Sequence, residues 1–325
     1  MTTRLRWPIA LATLLGLATA VWAMGSVGFV ALAHAALRMG TGGFLVFCGM
    51  SLLLYGLLGG AWWASMPGRP LRELPLFGWA RTAREAANDL LPFSQIGGLM
   101  IGGRTMTGAG LPGPRVYAAM VVDLSTEMAS QVAFTLFGIA SLGALLEDGT
   151  RHRVAPLAWA GVGVSIAVTV AFIVLQRPML RLAAKLAAKM LPDGAIPMDR
   201  LTAELTDIYA RKGAVALSFL LNLAAWLFAA SLAAMVLAMI DEPVALWRVI
   251  ALESLIFALR GAAFVIPGAI GVQEAGYVLL APLIGLDPQA AVALSLIKRA
   301  RDVAIGVPAL LIWQAREIGA RRAGA

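Results

Sequence analysis

The sequence predicts an all-α polytopic membrane protein with about six to eight transmembrane helices and two Gly/Pro-interrupted segments of re-entrant character. Three observations predict it. Sixty per cent of the 325 residues are apolar and only 14% are charged, against roughly 45–50% and about 25% in a soluble globular chain. Mean hydropathy is +0.82. Most long charge-poor runs reach the roughly 20 residues a helix needs to cross about 30 Å of hydrocarbon. These features exclude a water-soluble enzyme, a disordered tail, a secreted disulfide scaffold and a DNA-binding module.

The expected spans, in order, are 8–33, 43–64, 116–146, 154–176, 213–240 and 244–266. The first follows Arg4 and Arg6, and Ala18-Thr19-Ala20 resembles a cleavage site. Its apolar run nevertheless continues to Ala33, far beyond the roughly 7–15 residues of a secretory h-region, so it reads as an uncleaved anchor. Segments 92–113 and 267–286 are apolar but broken by Gly and Pro, and the run 289–313 carries charge in its middle. Stretches 65–91 and 177–212 read as cytoplasmic interfacial segments: basic residues alternate with apolar ones. The whole chain, 1–325, is expected to be one integral membrane domain, with candidate halves 1–163 and 164–325.

Charge sets the orientation. The net charge is +8, yet Lys and Arg lie between apolar runs and form no stripe on a soluble face, so nucleic acid is not an expected partner. Sixteen of the 26 basic residues fall at the N-terminus, in 65–91, in 177–212 and in the C-terminal tail; Arg38, Arg151, Arg153 and Arg248 fall opposite. That asymmetry places both termini in the cytoplasm. Cys48 is alone, and His34 and His152 are far apart in sequence. Neither a metal nor any other cofactor is expected.

The remaining six basic residues, Arg104, Arg115, Arg260, Lys298, Arg299 and Arg301, lie within or beside membrane segments. A charge at bilayer depth costs a few kcal/mol, which makes each a functional candidate. Asp123 and Glu127, four apart on one helix face, suit a proton or ion relay, or partners for the arginines. Glu253 and Arg260 share a face two turns apart. Gly268, Gly271, Gln273 and Glu274 follow Pro267 in a broken segment, and irregular backbone at membrane depth survives where it lines a cavity or is buried in protein. Lys298 and Asp302 are spaced to pair in cis. Arg299 and Arg301 are then left as forks for an anionic headgroup, with Glu253 and Glu274 as resting partners. Gly97 and Gly98, with Arg104, belong to the first broken segment. The two segments echo each other, LPFSQIGG at 91–98 and IPGAIGVQE at 266–274, which marks a candidate inverted repeat. Bland readings stand beside each of these: structural ion pairs, a tight turn, or partly solvated carboxylates.

The stretches LPFSQIGGLMIGGR (91–104), VYAAMVVDLSTEMASQ (116–131), ESLIFALRGAAFVIPGAIGVQEAGYVLL (253–280) and LSLIKRARD (294–302) resemble the lysylphosphatidylglycerol synthase transmembrane-region family. The wording is similar to its hopanoid-associated, HpnL-type subgroup. The resemblance implies a flippase-like domain in the bacterial inner membrane, acting on a membrane lipid. The soluble aminoacyl-transferase domain of bifunctional members is not expected here. Where the family pattern has Glu after Gly-Gly, this chain has Leu99, so Arg104 ranks below Arg260, Glu274 and Arg301.

Three functions follow as expectations. The first is transport or flipping of a hopanoid or other polar or anionic lipid. The second is a membrane-embedded enzyme of lipid maturation that works with carboxylates; no nucleotide, metal or nucleophile-elbow motif supports it. The third is a non-catalytic partner that docks lipid-biosynthesis enzymes at the cytoplasmic face.

Overall fold

The computed structural model describes residues 37–91, 94–145, 198–262 and 271–323, with His34 and a few helical positions between 163 and 174. Expected spans 8–33 and 154–176, and Gly268, lie outside the described residues or almost wholly so. Among the described residues the structure is helical and contains no strand.

Nine α-helices are described: α1 Gly40–Ala64, α2 Leu74–Leu90, α3 Ser94–Gly108, α4 Gly113–Leu145, α5 Met198–Ala210, α6 Lys212–Met239, α7 Leu246–Ala262, α8 Val272–Leu280 and α9 Pro288–Ala323. Of these, α1 and α6 are long and apolar enough to cross a membrane by length and composition. They run antiparallel. Ser65 Oγ at the end of α1 donates to Ser218 Oγ near the start of α6, at 3.0 Å. Gly43, at the start of α1, has Met239 at the end of α6 beside it.

The sequence dictates the breaks. Pro92 removes a backbone donor after α2 and biases Leu91 out of the helical region; Leu91 has ψ 147°. Gly271, which caps the start of α8, has φ +82°, a positive value that disfavours any side chain. The backbone N–H of Gly271 donates to Glu274 Oε2 at 2.7 Å, so the carboxylate satisfies an orphan donor at the positive end of α8. α9 outruns the expected 289–313: it continues through Pro308 to Ala323.

Lipid offers little hydrophobic drive between helices, so close approach and polar ties carry the packing. The crossing of α1 and α2 depends on glycine: a Cβ on Gly59 would lie 2.6 Å from the backbone N of Gly78. One core joins α1, α6, α7, α8 and α9 around Phe47, Leu54, Val236, Leu252, Tyr277 and Leu294. A second, around Trp62, Phe77, Met106, Val122 and Ile208, joins α1–α5.

Candidate functional site

α2 holds the first surprise. The stretch 65–91, read as interfacial, contains a helix that buries Arg81 and Arg84 among Phe77, Ala80, Ala83 and Ala87. Both guanidiniums bridge to α4. Arg81 reaches Asp123 Oδ2 at 3.0 Å and Glu127 Oε1 at 2.6 Å, and Arg84 reaches the same two carboxylates at 3.2 Å each. Glu85 adds a third carboxylate, 2.7 Å from Arg81 Nε. Asn222 of α6 donates to Asp123 Oδ1 at 3.3 Å and to Thr126 at 3.2 Å. Thr126 also meets Ser218 at 2.7 Å. The like-charge repulsion expected of Asp123 and Glu127 is thus answered by two guanidiniums.

A second group joins α7, α8 and α9. Lys298 does not pair with Asp302 in cis as its spacing allowed. Its ammonium donates to Glu253 Oε2 at 2.6 Å and to Tyr277 Oη at 2.8 Å, while Tyr277 donates to the other Glu253 oxygen. Phe257 and Tyr277 lie beside the ammonium, 5.4 and 5.5 Å from ring centre to Nζ. The reason is reach: a four-carbon stem on α9 finds a wholly buried carboxylate on α7, where a free charge would be costly.

A third group is less enclosed. Arg260 Nη2, two residues before α7 ends, meets Asp89 Oδ1, one residue before α2 ends, at 3.1 Å. Their side chains are 25% and 16% exposed. Arg301 pairs with its neighbour Asp302. The anticipated role of Glu253 as partner to these arginines falls instead to Asp89 and Asp302. Close by, Arg299 Nη2 meets Glu274 Oε1 at 3.0 Å as anticipated, and Gln273 donates to Ser295 at 3.0 Å.

Gly97 and Gly98 lie on α3. A Cβ on Gly98 would fall 2.8 Å from the Arg84 carbonyl and closer still to Asn88, so this glycine sets how tightly α3 crosses α2. Arg104 stands apart from the charged groups above and pairs with Glu317 near the end of α9.

Residues 9–309 match the family model described as the lysylphosphatidylglycerol synthase TM region. The chain belongs to that family. It is accordingly a membrane protein of lipid metabolism or transport. No curated protein and no solved structure matches the chain.

In this family member, sequence reasoning missed Arg81, Arg84, Glu85 and Asp89. Their signal was present: alanines at 80, 83, 86 and 87 are small residues of the kind that let membrane helices approach closely. A charge flanked by such residues points inward.

Proposed function

We propose that the protein is a flippase-like lipid transporter of a bacterial inner membrane, with both termini cytoplasmic, handling a hopanoid or another polar or anionic lipid. One observation carries this reading: paired charges of α7, α8 and α9, together with Asp89, gather around the ends of α2 and α7 and the start of α8. Ion pairs at bilayer depth that stay partly accessible can exchange a protein partner for a lipid headgroup. Arg260, Arg299 and Arg301 offer the planar forks that suit phosphate or carboxylate, with Asp89, Glu274 and Asp302 holding them when no lipid is bound. Glu253 and Lys298 position Tyr277 and tie α7 to α9 through α8. Asp123 and Glu127 are occupied by arginines, which favours a structural over a relay role.

The test is a deletion strain complemented by wild type or by a Glu274→Gln, Arg301→Ala double variant, read by whole-cell lipid profile and outer-leaflet labelling. Transport predicts unchanged total lipids with altered sidedness, and no rescue by the folded double variant. Accumulation of a new precursor would instead indicate an enzyme of lipid maturation.

A further inference from the structure

The helix boundaries recur. α1 and α6 end at Ala64 and Met239, 175 residues apart, and α4 and α9 begin at Gly113 and Pro288, again 175 apart. α2 and α7 are both 17 residues long and 172 apart at either end. α3 and α8 begin 178 apart. The contacts recur as well. α4 packs on α7, and their counterparts α9 and α2 pack on each other. Gly98 lies against Arg84 and Asn88 of α2, and Gly276, 178 residues on, lies against Ile256 and Leu259 of α7. Counting 172 on from Arg84 gives Ile256.

The ion pairs follow the same correspondence with their signs reversed. Arg81 of α2 holds Asp123 of α4; Glu253 of α7, 172 on, holds Lys298 of α9, 175 on. Such an exchange keeps the pair and its burial while swapping the donor helix. The counterparts α1 and α6 run antiparallel, which fixes the sense of the relation. The Ser65–Ser218 contact maps onto Ile240 and Gly43, and Gly43 lies beside Met239.

We propose that α1–α4 and α6–α9 form an inverted repeat, and that Asp89 and Arg260 on its pseudo-two-fold axis bind a zwitterionic lipid headgroup, Arg260 taking the phosphate and Asp89 the ammonium. This rests on the transport reading above and narrows its substrate. Under the 172-residue correspondence Asp89 maps to Gly261 and Arg260 to Asn88. The Asp89–Arg260 contact therefore maps onto its own immediate neighbours, which places it on the axis. Repeat interfaces are where transporters of inverted topology hold substrate, because an axial site faces either side as the units exchange conformation. Arg301 and Asp302 lie within electrostatic reach of both residues, and Glu85, itself held by Arg81, lies within reach of Asp89. Asp89 with Arg260, Arg301 with Asp302 and Arg81 with Glu85 each sum to zero, so a headgroup of net charge leaves one protein charge unpaired and a zwitterion leaves none.

The test uses the full chain in phosphatidylcholine vesicles carrying either phosphatidylethanolamine or phosphatidylglycerol with a fluorophore on the acyl chain. Dithionite quenching reports lipid crossing. Wild type is expected to move the ethanolamine lipid about tenfold faster than the glycerol lipid. Asp89→Asn is expected to erase that preference, and the exchanged variant Asp89→Arg, Arg260→Asp to restore most of it, with folding followed by gel filtration. Equal rates for the two lipids, or an unaltered preference in Asp89→Asn, would overturn the zwitterion site while leaving transport intact. An exchanged variant that folds yet stays as impaired as Asp89→Asn contradicts the axial placement. If wild type moves neither lipid, the transport reading fails first and this proposal with it.

Discussion

Two charged groups a few turns apart on α2 have different surroundings. The pair Arg81 and Arg84 is sealed: the two guanidiniums are 1–2% exposed and Asp123 is wholly buried, only the carboxylates of Glu127 and Glu85 reaching the edge at 15% and 18%, and Asn222, Thr126, Ser218 and Ser65 carry the polar chain on to α6 and α1. Asp89, one to two turns on, is 16% exposed and meets an arginine of α7 that is 25% exposed. The ion pairs of the sealed group tie α2 to α4 within one proposed unit, and Asn222 and Ser218 of α6 join them through neutral hydrogen bonds. The open group bridges the two proposed units near the ends of α2 and α7. Burial without access gives rigidity; access without full solvation gives a place for exchange. The two roles predict different consequences of mutation.

The largest effect belongs to the sealed group. Asp123→Ala strips a partner from two buried guanidiniums, and breaking a buried pair from one side costs about 3–5 kcal/mol. Thermal unfolding in detergent should show that loss, and a variant as stable as wild type would mean that this group is solvated. Next comes packing. Gly98→Val forces a side chain into the Arg84 carbonyl and Asn88, with an expected cost of about 1–3 kcal/mol by the same assay. A finer comparison exchanges Arg81→Glu with Asp123→Lys, the polarity found at Glu253 and Lys298. Its coupling energy in a double-mutant cycle should be about 1–2 kcal/mol in favour of the pair. Additive losses would argue against equivalence of the two pairs. The smallest effect is expected at Arg69→Ala. That guanidinium meets Glu73 at 2.6 Å, but the two are 29% and 21% exposed, and such surface pairs contribute about 0–1 kcal/mol.

How far the sequence revealed this arrangement depends on what each residue type signals alone. Spans such as 43–64 and 213–240 were legible because unbroken apolar runs have one stable state in a bilayer. The end of α2 at Leu90 was legible because Pro92 biases Leu91 out of the helical region. Glu274 with Arg299 was legible because both sit in apolar runs. Arg81 and Arg84 were not, because they lie in a stretch with Arg69 and Arg72, whose side chains stay near the surface; hydropathy averaged over the stretch hides which face each arginine takes. Spacing within one helix is visible in sequence and favours Asp302 as partner of Lys298, whereas Glu253 lies 45 residues away and is brought near only because α8 packs against both α7 and α9. The echo of 91–98 in 266–274 was visible, but the reversed ion pairs were not, because sequence comparison scores Arg against Glu and Asp against Lys as mismatches.

The most direct measurement compares Asp302→Asn with Arg69→Ala in reconstituted vesicles, reading lipid crossing and thermal midpoint on the same preparations. The division into sealed and open groups predicts that Asp302→Asn slows lipid movement about tenfold while costing less stability than Asp123→Ala, and that Arg69→Ala changes neither. Wild-type lipid movement in a folded Asp302→Asn protein would contradict the open group's role as the place where lipid is handled.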